Sequence, residues 1–206
     1  MLTNKEYLLH NALERIAEDR AVYVPELQRI AREAIAEAAK PTRDEENAAS
    51  LANTGKCSYE SIAEMVAALN CDYDRYQELI DLAGTGELSN DECGEYDALK
   101  KAAGDCKDRD DAEQRIHEDP LSVEVRSDWL EIGSFAREPR MQPAEFRILL
   151  ATGGPAVRII GELDANCEPT SARLQAQDWF LPWTDYRDAD ESVLLDYCRC
   201  FYFGEG

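Results

Sequence analysis

The side chains that could do chemistry are few apart from carboxylates, which are abundant. Histidine occurs only as His10 and His117, and neither sits in a nucleophile or metal-ligand pattern, although this is the side chain that titrates near neutrality. His10 reads as a helix-face residue, and His117 sits among acids that explain it by charge pairing. Cys198-Arg199-Cys200 is a close pair, but one intervening residue on a helix turns two thiols to different faces. Zinc sites space cysteines by two to four residues and add a second pair or histidines, so free thiols are the simpler reading. Asp108, Asp110, Asp111 and Glu113 carry oxygen ligands at short spacing, as a hard cation requires. The stretch nevertheless lacks the turn glycine and the twelfth-position Glu of a calcium loop and reads as a solvated charge run. Gly153-Gly154 is followed by neither a helix start nor a Lys-Ser/Thr pair, so it suits a hairpin turn rather than a phosphate cradle. Paired carboxylates suit acid-base catalysis, yet in a chain with 43 of them the nearness of any two says little. The residues therefore assign no catalytic group, metal ligand or cofactor motif. An enzyme built on a carboxylate pair would need a deep pocket with converging acids.

Charge is the informative feature. Forty-three acids against 22 lysines and arginines leave the 206 residues at net −21. From Cys71 to Asp119, sixteen acids face six bases, net −10 in 49 residues. Self-repulsion of this size adds solubility and a long-range field but no fold stability. Duplex DNA is bound by lysines and arginines that displace counterions, and here the bases are scattered among acids, so direct nucleic-acid binding is disfavoured. An anionic membrane surface is disfavoured by the same sign. The natural counterpart is a basic nucleic-acid-binding protein or complex, whose groove would accept carboxylates spaced like backbone phosphates. Asp91, Glu92, Glu95, Asp97, Asp105, Asp108, Asp110, Asp111, Glu113, Glu118 and Asp119 are the candidate partner-binding residues. The competing account is a solvated helical face kept soluble by repulsion.

These acids must be positioned by helices. Thr3 can cap a first helix with Leu9, Ala12, Leu13 and Ile16 on one face, and Pro25 can open a second through Leu27, Ile30, Ala31, Ala34, Ile35 and Ala38, giving an αα-hairpin. Residues 40 to 57, with Pro41 and Gly55 and no periodicity, predict a linker or mobile loop. Ser58 then caps a helix bearing Ile62, Met65, Val66 and Leu69. Tyr73, Tyr76, Leu79 and Ile80 form a short helix stopped by Gly84 and Gly86, and Ser89 and Asp108 cap two acidic helices expected to be peripheral. After Pro120 the period changes to two. Leu121, Val123 and Val125, then Phe146, Ile148 and Leu150, then Val157 and Ile159, then Ala172, Leu174 and Ala176 predict four strands, the middle two joined through Thr152, Gly153 and Gly154. A last helix from about Asp190 to Tyr202 covers one side. The expected class is α+β: an N-terminal helical region (1–119), then a small antiparallel β-meander with a C-terminal helix (120–206).

Trp179, Phe180, Trp183, Tyr186, Tyr197, Phe201, Tyr202 and Phe203 are expected mainly as core between sheet and helix; exposed, they would instead make an interaction patch, the basis of an alternative reading as a protein-binding or regulatory module. An odd number of cysteines, seven, with no N-terminal signal-like apolar run and no stretch long enough to span a bilayer, points to a reducing cytoplasm. The sequence does not indicate an oligomeric state.

Four segments carry a resemblance: Leu121 to Trp129 (LSVEVRSDW), Ile148 to Arg158 (ILLATGGPAVR), Gln177 to Trp183 (QDWFLPW) and Leu194 to Gly204 (LLDYCRCFYFG). The chain here resembles small acidic proteins encoded by bacteriophages and other mobile elements, strongly over about 85 residues and loosely over the helical part. The resemblance implies a setting, the cytoplasm of a bacterial host, in which such proteins include inhibitors of restriction and CRISPR systems. It carries over no catalytic residue.

Overall fold

The computed structural model describes residues 11, 29–30, 32–36, 40–127, 142–179 and 181–204. By Cα proximity the chain divides into Met1–Ala48 and Ala49–Gly206. In the first unit residues 29–30 and 32–36 are helical, and Arg29 donates to Glu33 one turn on at 2.7 Å. The expected helix from Thr3 and the hairpin it would form lie outside the described residues, as do most of the second helix, His10, Trp129 and Phe180.

Helix α1 runs Arg43–Leu69, through most of the stretch predicted as a linker and past Ser58, which lies inside the helix rather than capping it. Local chemistry starts the helix early. The Thr42 amide donates to Glu45 Oε2 at 2.7 Å and the Glu45 amide to Thr42 Oγ1 at 3.3 Å, a capping box that satisfies two otherwise orphaned donors. Gly55 is a packing notch instead of a breaker. A Cβ there would stand 2.8 Å from the Tyr186 ring, and the same ring lies 6.1 Å from that of Tyr59 one turn further. Ile62, Met65, Val66 and Leu69 are buried, as their spacing predicts.

Three helices follow in the order expected. Helix α2, Tyr73–Thr85, is capped by Asp72, which accepts from the Arg75 amide, and ends at Gly86, whose φ of 76° suits a residue without a Cβ. Helix α3, Asn90–Ala103, begins with a capping box between Ser89 and Glu92. Helix α4, Arg109–Glu118, is capped by Asp108 and buries Ala112 and Ile116. Helix α3 buries only Ala103 and is peripheral. Helix α4 departs from that expectation, since Ile116 is fully enclosed in the common core.

The sheet is a five-stranded antiparallel meander in the order β1-β2-β3-β4-β5: β1 Ser122–Ser127, β2 Pro143–Ala151, β3 Ala156–Glu162, β4 Arg173–Gln177 and β5 Thr184–Asp185. Residues directly paired across antiparallel strands share a face. The register of Phe146 with Gly161, Ile148 with Ile159, and Ile159 with Leu174 therefore collects one apolar face. Helix α5, Glu191–Cys198, ends sooner than predicted, and the chain beyond it returns Phe203 to within 4.7 Å of the Phe146 ring. The buried residues of α1, α4, α5, β2, β3 and β4 form a single cluster. β1 differs: Val123 and Val125 pair with core residues yet stay 39% and 38% exposed, and Leu121 is 58% exposed.

The opposite face is polar. Glu124 pairs with Arg147 and Arg126 with Glu145 across β1 and β2. Arg158 and Ile160 continue that face on β3, and Gln175 and Asp185 follow on β4 and β5.

Candidate acidic binding surface

Three groups of acidic side chains gather along α2 to α4 and their caps. The first surrounds Arg75. Its Nε and Nη2 donate to the two oxygens of Glu95 at 3.1 and 2.8 Å, and Nη1 donates to Glu78 at 3.0 Å; Glu92 stands 3.7 Å from Nη2. One guanidinium thus serves three carboxylates, which leaves the cluster anionic and ties α2 to α3. The Tyr76 and Tyr96 rings, 5.9 Å apart, add an apolar contact between the same helices. Bonding to the Ser89 hydroxyl and amide, with Arg75 adding to it, holds the Glu92 carboxyl below the usual range. Hydrogen bonding to Arg75 does the same for Glu95. Arg75 was not among the residues singled out from sequence, although Arg75 and Glu78 stand one helical turn apart, a spacing that brings side chains together.

The second group lies at the junction of α3 and α4. Asp105, Asp111 and Glu118 line one depression of about 300 Å³, with Arg115, Gln114 and Cys106 among its other walls. Asp108 and Asp111 are fixed by the helix start: Asp108 accepts from the Asp111 amide at 2.8 Å, and Asp111 accepts from the Lys107 amide at 3.1 Å. Glu118 accepts from Gln114 at 2.7 Å. These bonds go to neutral donors, so they orient the carboxylates without neutralising them.

The third group turns toward the C-terminal helix. Asp119 accepts from the Tyr197 hydroxyl at 2.6 Å, and Glu113 lies 3.8 Å from His117, whose ring meets Phe201 edge-on at 5.3 Å. Burial, then the bond to Asp119, raises the Tyr197 phenol well above its ordinary value. Asp91, Asp97, Asp105 and Asp110 are exposed. The eleven residues predicted from sequence thus share one region of the chain without sharing one patch. Asp105, Asp111 and Glu118 converge, Glu92 and Glu95 gather on Arg75, and Asp119 serves the core boundary.

Elsewhere the aromatic expectation divides. Tyr197 and Phe203 are core, whereas Trp179 is 67% and Tyr202 80% exposed. Trp179 lies over the β2–β3 turn, where a Cβ on Gly154 would stand 2.1 Å from its indole nitrogen. All seven cysteines are free, Cys198 buried and Cys200 partly so. Burial pushes the Cys200 thiol up to about 11. Among the described residues no group of three potential ligands is placed to hold a metal, and no helix is long and apolar enough to cross a membrane. Comparison with protein-family models, curated proteins and solved structures finds no match to this chain.

Proposed function

We propose that this chain is a non-enzymatic acidic binding protein that occupies a basic nucleic-acid-binding surface of a protein partner, acting as a nucleic-acid mimic. The observation that carries the reading is the convergence of Asp105, Asp111 and Glu118 on one depression that Arg115 also lines, where Asp111 and Glu118 are oriented by neutral donors. Carboxylates fixed before binding lose less freedom on docking than mobile ones. The likeness to bacteriophage proteins makes a host restriction or CRISPR component the first partner class to test, with the chain as an anti-defence inhibitor.

The test is capture of partners from a bacterial lysate by the full chain at low and high salt, repeated with the triple variant Asp105→Asn, Asp111→Asn, Glu118→Gln. Amides keep hydrogen-bond acceptors, so the variant should fold, which circular dichroism checks. The expected result is a nucleic-acid-binding protein captured at low salt, lost at high salt where screening is short-ranged, and lost with the variant. Equal capture under all conditions refutes the electrostatic reading.

A second reading draws on the exposure of Trp179 and Tyr202: a protein-interaction module using the C-terminal sheet and aromatics, with charge serving solubility. Large exposed aromatics are frequent interface anchors. It predicts that capture survives the triple variant and fails with Trp179→Ala.

A further inference from the structure

The polar face of the sheet holds a site of opposite character to the helices. Glu124, Arg126, Glu145, Arg147, Arg158 and Ile160 line a groove of about 350 Å³, within the range of small-ligand pockets. Three arginines against two glutamates give it a net charge of +1 in a chain of net −21. The first two arginines are already matched, Arg126 to Glu145 and Arg147 to Glu124. Arg158 is not. Among the described residues it meets no carboxylate; its Nε donates to Gln175 Oε1 at 2.8 Å, and its guanidinium lies over the Trp183 ring, 4.0 Å from the centroid.

This arrangement fixes the guanidinium and leaves its outer edge without a hydrogen-bond partner among the described residues. Gln175 is buried, and its amide nitrogen donates to Asp185 at 2.7 Å, which sets the side-chain carbonyl toward Arg158. Stacking on an indole holds the plane of a guanidinium. With Nε occupied, the Nη1 and Nη2 hydrogens remain as a fork that matches a carboxylate. Desolvation and the nearby charge of Arg147 both work against the positive charge of Arg158 and lower its pKa, a condition that an incoming anion relieves. The flanking Glu124 and Glu145 and the charge of the whole chain disfavour a dianion, so a single negative charge fits best. Ile160 on the same face offers apolar contact to the remainder of the ligand.

We propose that Arg158, positioned by Gln175 and Trp183, binds the carboxylate of a small organic monoanion in this groove. The site is separate from the acidic helices and does not depend on their function.

The experiment is a nuclear magnetic resonance titration of the full chain with hexanoate as the probe, following the Arg158 Nε–H signal, with hexanamide and inorganic phosphate in parallel. The expected result is a saturable shift of that signal with hexanoate alone, at least about tenfold weaker binding in Arg158→Gln, as loss of a charged hydrogen-bond partner implies, and weaker binding in Trp183→Leu. Absence of a saturable hexanoate shift overturns the proposal, as does equal binding by hexanamide. Preference for phosphate overturns the carboxylate assignment. The wild-type titration decides the matter even if a variant fails to fold.

Discussion

Replacing Tyr197 by Phe separates what Asp119 does for the fold from what it does for a partner. Tyr197 is fully buried, and its hydroxyl donates to an exposed carboxylate at 2.6 Å. The substitution keeps the ring and leaves no cavity larger than an oxygen atom, so packing changes little. A hydrogen bond to a charged group contributes about 1.5–3 kcal/mol, and because Asp119 can turn to water the low end applies, about 1.5 kcal/mol. In a domain of this size each kcal/mol moves the midpoint by about 2–4 °C, so Tm should fall by about 3–6 °C.

The pH dependence gives the sharper test. Burial and Asp119 raise the native phenol pKa, so the contribution is fully present below the unfolded value of about 10 and is lost as pH rises toward the native one. In that window the unfolded chain binds fewer protons than the native one, and stability falls by up to about 1.4 kcal/mol per pH unit for this group. Phe has no such proton. Urea unfolding followed by circular dichroism, in reductant, should therefore show wild type more stable at neutral pH and the gap closing above about pH 10. Equal stability at neutral pH, or a gap that widens in alkali, refutes the reasoning.

Two further substitutions test the elements that carry the sites. Arg75→Met leaves Glu78, Glu92 and Glu95 facing one another, so the variant should be less stable at low salt and partly recover as salt is added; no change in urea midpoint at low salt would remove Arg75 as the clasp between α2 and α3. Glu95, held below its usual range by Arg75, stabilises the fold above the unfolded value near pH 4.3 and loses that contribution as pH falls further, a loss that should shrink in the variant. Gly161→Ala would put a Cβ 1.9 Å from the Ser171 carbonyl oxygen and 2.6 Å from the Phe146 ring, so the backbone must shift at a cost of about 1–3 kcal/mol or more; an unchanged urea midpoint would contradict the close approach.

The features legible in the sequence were those set by neighbours along the chain. Ser89 and Asp108 announce α3 and α4 because an N-cap and the amides it satisfies lie within one turn. Alternation at Phe146, Ile148, Val157 and Ile159 marks strands because successive side chains point to opposite faces. Even the misread stretch before Ser58 held a local signal, Thr42 three residues before Glu45. Gly55 was misleading because its reason is the Tyr186 ring, distant in sequence. The same alternation that marks β1 says nothing of how well Val123 and Val125 are covered, since that depends on what packs over them.

Net charge, its concentration between Cys71 and Asp119, the caps at Ser89 and Asp108 and the α+β class are properties of composition and short-range geometry, so the chain determined them without tertiary packing. Which carboxylates converge and which are spent on a cap, on Arg75 or on Tyr197 was decided by the packing of α2, α3, α4 and α5. Likewise, only strand register matches Arg126 and Arg147 with glutamates and sets Arg158 opposite Gln175, with no carboxylate partner among the described residues. Such pairings join residues far apart in the chain, and the long-range burial that brings them together is invisible to any local reading.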